Sequence, residues 1–200
     1  RPTAATRIMN ETDTATDGTL AADSVDDGLE SDVAATYAVL ATCWREPSDR
    51  LVAVADEGEL SPVVGDLDGL DLDELRVEYT RLFIGPAGPP CPPYESVYRD
   101  GEDDAEFGPV EGPSTVAVRR WYREFGVQPA PDHSDLPDHI ATELEFAAYL
   151  ADEGRADRLD QFLDEHLRVW TDAFLRRVEA ETREAFYAAL ARTTREVLLQ

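Results

Sequence analysis

Large apolar side chains recur in this chain every three or four residues, from Val33 to Leu198, and nowhere alternate over a sustained run. A period near 3.6 buries one stripe of a helix, whereas a half-buried strand needs a period of two. Helices are therefore the building elements, and the expected fold class is all-α. The clearest series is C-terminal: Leu159, Phe162, Leu163, His166, Leu167 and Trp170 share one face, which Phe174, Leu175 and Val178 extend. A last helix carries Phe186, Tyr187, Leu190, Val197 and Leu198. At the other end, Val33, Tyr37, Leu40, Ala41 and Trp44 mark a helix with Ser31 as N-cap and Pro47 past its end. A short helix is expected from Ser48 to Glu57, then a loop from Gly58 to Gly69. Leu72, Leu75, Tyr79, Leu82 and Phe83 mark the next helix, stopped by Gly85 and Pro86. Two more are expected over Pro113–Phe125, ended by Gly126, and Pro137–Glu153, ended by Gly154.

Between these helices lies a segment of another kind. Residues 85–98 hold five prolines and two glycines. Proline lacks a backbone N–H, so the run is expected to be neither helix nor central strand. A polyproline linker between domains is one reading. Tyr94 and Tyr98 close the run and strong helices flank it, which favours a stiff loop packed on one domain. The architecture expected is a single-domain irregular helical bundle with a Pro-rich loop, not a simple four-helix bundle. Two hundred residues suit one such domain. Residues 1–29, rich in Thr, Ala, Asp and Gly, are expected as a disordered acidic tail, with the domain over 30–200.

Charge narrows the function. The chain carries 43 acidic and 18 basic residues, a formal net charge of −25, and every basic residue is Arg. Such a surface does not bind nucleic acid, which needs a basic stripe. An acidic surface without Lys suits a halophile that keeps molar KCl inside, where repulsion is screened within ~3 Å. The rival reading is an acidic protein with a basic partner. No apolar run approaches the ~20 residues of a membrane span, so no stable membrane insertion is expected. Residues 1–27 show no apolar core of a signal peptide, and the expected location is cytoplasmic. Cys43 falls on a helical apolar stripe and is expected in the core. Cys91, in the Pro-rich loop, is expected to be exposed. Their spacing matches no zinc or redox motif.

Catalytic motifs are missing from the sequence. There is no phosphate loop ending in Lys and no Gly-x-Ser-x-Gly elbow. The histidines are His133, His139 and His166. Asp138 and His139 stand just before Glu143, and the four-residue step puts His139 and Glu143 on one helix face. Those three are a candidate metal set, although zinc sites collect three or four good ligands. The plainer reading has Asp138 charging a helix start, with His139 half-buried beside it. His166 falls on the buried stripe and is expected in the core. The residues by themselves define a helical domain and no metal, cofactor or enzymatic activity.

Two stretches carry a resemblance. Tyr79-Thr80-Arg81-Leu82-Phe83-Ile84-Gly85-Pro86, followed by Pro92-Pro93-Tyr94-Glu95-Ser96-Val97-Tyr98, is similar to the signature of the TorD/DmsD/NarJ family. Pro137-Asp138-His139-Ile140 with Glu143-Leu144-Glu145-Phe146 resembles that family's second motif. The C-terminal aromatic series is similar too, and the resemblance spans residues 31–198. It implies a chaperone of molybdoenzyme maturation, without a cofactor, that binds the twin-arginine leader and the apo catalytic subunit of a molybdopterin oxidoreductase. Such chaperones delay export through the Tat translocon until the enzyme's cofactor is inserted. A leader is basic then apolar, so its binder needs an apolar groove with acidic edges. The resemblance implies a client-binding set of Pro92, Pro93, Tyr94, Glu95, Ser96 and Tyr98 on the loop, faced by Asp138, His139 and Glu143, with Asp138 or Glu95 pairing a leader arginine; the plainer alternative is that Tyr94, Glu95 and Tyr98 only pin the loop to the core. A helical adaptor with an unrelated partner and a metal protein using Asp138, His139 and Glu143 are the alternatives. Long loops between helices also allow a domain-swapped homodimer.

Overall fold

The computed structural model describes residues 20–58, 60–64, 71–85, 88–102, 107–128 and 136–199, with the backbone alone for 20–31, 56 and 62. His133 and the first 19 residues of the expected tail lie outside the described residues. Helices in chain order are α1 (Leu20–Cys43), α2 (Asp49–Asp56), α3 (Ser61–Val64), α4 (Leu72–Tyr79), α5 (Glu95–Arg99), α6 (Pro113–Glu124), α7 (Ile140–Asp152), α8 (Ala156–Glu165), α9 (Leu167–Glu181) and α10 (Ala185–Leu198). Among the described residues there is no strand, only one isolated bridge between Tyr94 and His139.

Several boundaries differ from the sequence expectation. Helix α1 runs through Ser31 from Leu20, because extending a formed helix costs far less than nucleating one, and the stretch has no proline and only Gly28 as a weak breaker of about 1 kcal/mol. The expected loop after α2 contains α3, a single turn whose Val63 and Val64 are buried beside Leu60. Helix α4 does not stop at its α-helical end: Thr80–Ile84 form a π-helical turn in which Gly85 N donates to Thr80 O at 2.8 Å. Gly85 then takes φ +24, a backbone that disfavours any side chain, with Gly88 O only 3.2 Å from where a Cβ would stand. Within the Pro-rich run, α5 is a helical turn, since the prolines end at Pro93 and leave Glu95–Arg99 with their N–H groups.

The core has two aromatic centres. Trp44 of α1, Phe83 of the π-helical turn and Phe174 of α9 pack with centroids 5.1–6.2 Å apart, and Tyr187 of α10 adds an edge to Phe83. The fully buried Trp44 indole N–H finds Thr194 Oγ1 at 3.0 Å, which removes the cost of burying it. Around Phe146 of α7 lie Tyr122, Phe125 and Phe162 at 4.8–5.6 Å. Helix α1 packs along α7 and α9 along α10. The predicted C-terminal series is one apolar face on two helices, broken at His166, whose backbone sits at φ −125, ψ −91.

Cys91 is the clearest departure from expectation. Its residue is 0% exposed, and its N–H donates to Leu82 O at 2.9 Å, so the loop folds back over the π-helical turn. Burial pushes its thiol up to about 12, and that of Cys43 likewise. Both thiols are free.

Candidate functional site

The two motifs singled out in the sequence meet backbone to backbone. Glu95 N donates to Asp138 O at 2.9 Å and Ile140 N donates to Pro93 O at 3.0 Å, either side of the Tyr94–His139 bridge. Proline suits this pairing because Pro93 contributes only its carbonyl. Side chains repeat the bond: Ser96 N donates to Asp138 Oδ2 at 3.0 Å. Asp138 therefore serves α5, and the N-cap of α7 is His139, whose Nδ1 accepts from Ala141 N at 3.1 Å. That corrects the expectation that Asp138 opens a helix beginning at Pro137. His139 is buried rather than half-buried. An accepting Nδ1 is unprotonated, which places the proton of the neutral ring on Nε2. The Tyr94 ring lies 5.4 Å from it, edge-on.

Behind this bridge the interior is acidic. Glu95, Asp138 and Glu143 are each 0% exposed. Glu95 is paired twice, by His166 Nδ1 at 2.9 and 3.1 Å and by the Arg99 guanidinium. Arg99 also donates to Glu165 O at 2.9 Å, so α5 is tied to the end of α8. The break between α8 and α9 is what turns His166 toward this carboxylate. Glu143 has only a long bond, Trp170 Nε1 to Oε2 at 3.5 Å, and its Oε1 has no partner. Burial first, then the neighbouring Glu95 and Asp138 charges, raise its carboxyl well above the usual carboxylate range. Burial and these charges thus favour the protonated form of Glu143, beside Glu95 with its two partners and Asp138 bonded through one oxygen.

Of the nine residues expected to touch a client, Pro92, Pro93, Glu95, Ser96, Asp138, His139 and Glu143 are buried, and Tyr94 and Tyr98 are half-buried. Tyr98 stacks on Trp170 at 5.6 Å. The structure therefore joins all nine around one seam, but in this conformation offers no carboxylate oxygen of the set to an incoming arginine. Among the described residues no group of three or more His, Cys, Asp and Glu side chains is arranged to hold a metal ion.

The open surface lies on the other side of α7. A hollow of about 470 Å³ between α1 and α7 has a floor of Ala34, Ala35, Ala38 and Ala148 and a rim of Glu145, Tyr149 and Asp152. Glu145 is held by Arg45 at 2.7 Å. Asp152 is exposed and pairs with no arginine among the described residues. A second hollow of about 140 Å³ shares Glu145 and Tyr149 and continues to Tyr122, Val127 and Gln128. Sequence reasoning missed this groove. Its one legible signal is the spacing of Ala34 and Ala38, a small-residue step on one helix face where a large apolar residue would have filled the space.

The chain is thus an irregular all-helical bundle whose two motifs meet in one buried seam, beside an alanine-floored hollow with an acidic rim. The chain matches the family described as nitrate reductase delta subunit over residues 27–176, and it belongs to that family of redox-enzyme maturation chaperones. It is 35% identical over 145 residues to the Tat proofreading chaperone DmsD of Salmonella typhi, covering 72% of this chain and 69% of that one. It is 33% identical over 174 residues to the chaperone protein YcdY of Escherichia coli, covering 78% and 85%. Its fold is similar to a crystal structure described as a candidate redox enzyme maturation protein from Archaeoglobus fulgidus, with TM-score 0.64, 28% identity, and coverage of 84% and 94%. These relatives are chaperones, not enzymes.

Proposed function

We propose that the protein binds the twin-arginine leader and apo catalytic subunit of a molybdopterin oxidoreductase in the cytoplasm, and delays export until the cofactor is in place. The observation that carries this reading is the groove between α1 and α7, where an alanine floor lets a peptide backbone approach closely and two carboxylates stand at the edge. A leader supplies the complement, an apolar helix with arginines at one end. Burial of its apolar face is the larger contribution, since Asp152 is exposed and exposed ion pairs add little. The acid-rich, Lys-free surface supports a halophilic setting, where that balance shifts further toward apolar contact.

In this reading the motif residues have two kinds of role. Pro92, Pro93, Glu95, Ser96, Asp138, His139 and Glu143 position the Pro-rich loop and the start of α7. Tyr94 and Tyr98 are the two that keep a surface for a client. Glu95 already holds an arginine of its own chain, so a leader arginine reaches it only by displacing Arg99.

The test fills the groove. Ala38 is exposed on α1, so Ala38→Trp adds an indole over the floor with no core to disturb. Calorimetric titration with a synthetic twin-arginine leader should show saturable binding to the unaltered protein. The variant should bind at least tenfold more weakly with its thermal melt unchanged. Equal affinity of the two would place the leader elsewhere.

A further inference from the structure

Helix α6 presents an outward face built from Val116, Arg119, Arg120 and Arg123, which follow the i, i+3, i+4, i+7 spacing of one helix side. All four are exposed. None of the three arginines holds a carboxylate among the described residues, and Arg123 Nε instead reaches Arg119 O at 3.3 Å. Elsewhere arginines such as Arg45, Arg81, Arg158 and Arg168 each sit in an ion pair. Arg50, Arg155, Arg183 and Arg192, also without a carboxylate among the described residues, are scattered over α2, α10 and the turns between α7 and α8 and between α9 and α10. Three like charges on one helix face repel one another. The chain has 43 acidic residues, and none of those among the described residues pairs with this face.

The face borders a cavity. A hollow of about 480 Å³ is lined by Arg119, Tyr122, Arg123, Val127 and Pro137, among others, and continues through Tyr122, Val127 and Gln128 into the groove system. Its lining combines the apolar Val127 and Pro137 and the Tyr122 ring with Gln128 and two guanidiniums. A ligand that fits both is an anion with an apolar body.

We infer that this α6 face is a second docking surface, which takes an acidic, extended segment of a partner polypeptide. Spacing supports the class. Arg119 and Arg123 are one helical turn apart, about 6 Å along the axis. Carboxylates on alternate residues of an extended chain stand ~7 Å apart. An acid-x-acid-x-apolar stretch thus sets one carboxylate against each guanidinium, in the geometry that favours bidentate pairing, and aims its apolar side chain at the Tyr122–Val127 hollow. The area also limits the partner. Residues 116–123 span only ~10 Å of helix, about one Debye length at moderate salt. Beyond that distance a flat anionic surface, such as a membrane or a nucleic-acid duplex, meets the rest of a chain of net charge −25 and is repelled. A narrow polypeptide segment avoids that. The inference does not rest on the leader reading, because a basic leader would be repelled by this face.

The experiment titrates the full chain with the blocked peptide Glu-Ser-Glu-Ser-Leu-Ser, fluorescently labelled, across a KCl series. Parallel titrations use the Gln-Ser-Gln-Ser-Leu-Ser control, anionic phosphatidylglycerol vesicles and a short DNA duplex. The acidic peptide should bind, lose affinity as KCl rises, and bind about tenfold more weakly to Arg119→Gln/Arg123→Gln, for two exposed pairs lost. The thermal melt of that double variant should match the parent, and both should bind a twin-arginine leader alike. Absence of peptide binding, equal binding by the double variant, or equal binding of the glutamine control would overturn the inference. So would vesicles or duplex that bind through the same two arginines more tightly than the peptide.

Discussion

Replacing Glu143 by glutamine isolates the effect of the acidic seam on folding. The substitution keeps the side-chain shape and the acceptor for Trp170 Nε1 while removing the titratable proton. In the folded protein, burial first and then the Glu95 and Asp138 charges hold the Glu143 carboxyl well above the usual range, which favours the protonated form. The unfolded chain loses that proton near pH ~4.3. With a folded value above the unfolded one, the native state binds the extra proton, and this contribution is fully present below pH ~4.3 and lost as pH rises toward the folded value. One proton corresponds to about 1.4 kcal/mol per pH unit, so from pH 5 to pH 7 wild-type stability falls by at most about 3 kcal/mol from this group. Glutamine has no such loss. Urea unfolding of both proteins at several pH values should therefore give a stability difference near zero at pH ~4 that grows in favour of Glu143→Gln as pH rises. Carboxylates remote from the seam titrate equally in both proteins and cancel, while Glu95 and Asp138, whose charges act on Glu143, belong to the same seam effect. A pH-independent difference, or a variant less stable at pH 7, would refute the raised Glu143 carboxyl.

The seam and the thiols give two further expected outcomes. Asp138→Ala leaves the buried Ser96 N–H without its acceptor and should lower unfolding stability by about 1–3 kcal/mol, with Asp138→Asn recovering part of it because one amide oxygen remains. Cys43 and Cys91 should resist maleimide labelling in the native protein and react only at the rate of unfolding, since both thiols are buried and raised to about 12.

Helix content was legible because long apolar series at a 3.6 period leave little choice, and Phe162, Trp170 and Phe174 are as deeply buried as their spacing implies. A single sequence conceals the partner across space. Nothing in the local pattern shows that His166, far along the chain, turns to Glu95, or that Asp138 bonds Ser96 rather than capping its own helix. The same limit explains Cys91: a Pro-rich loop resembles a surface loop until the fold supplies Leu82 O as its backbone acceptor and packs over it. The motif positions were found and their burial was not, because recognition patterns mark which residues matter without stating whether they face a client or one another. The groove escaped notice for the opposite reason, since Ala34, Ala38 and Ala148 leave a space rather than form a motif.

The π-helical turn makes chain length at residues 80–84 a structural quantity. Its wider ring, closed from Gly85 N to Thr80 O, holds one residue more than an α-helical turn would. Losing a single residue there would let the turn tighten to ordinary α-helical geometry and redirect the side chains within it about the axis. Phe83 would leave its place against Trp44 and Phe174, and Gly85 would no longer start the return that brings Cys91 to Leu82. Helix ends usually tolerate a small deletion, but here one missing codon would misalign the core and the signature loop together.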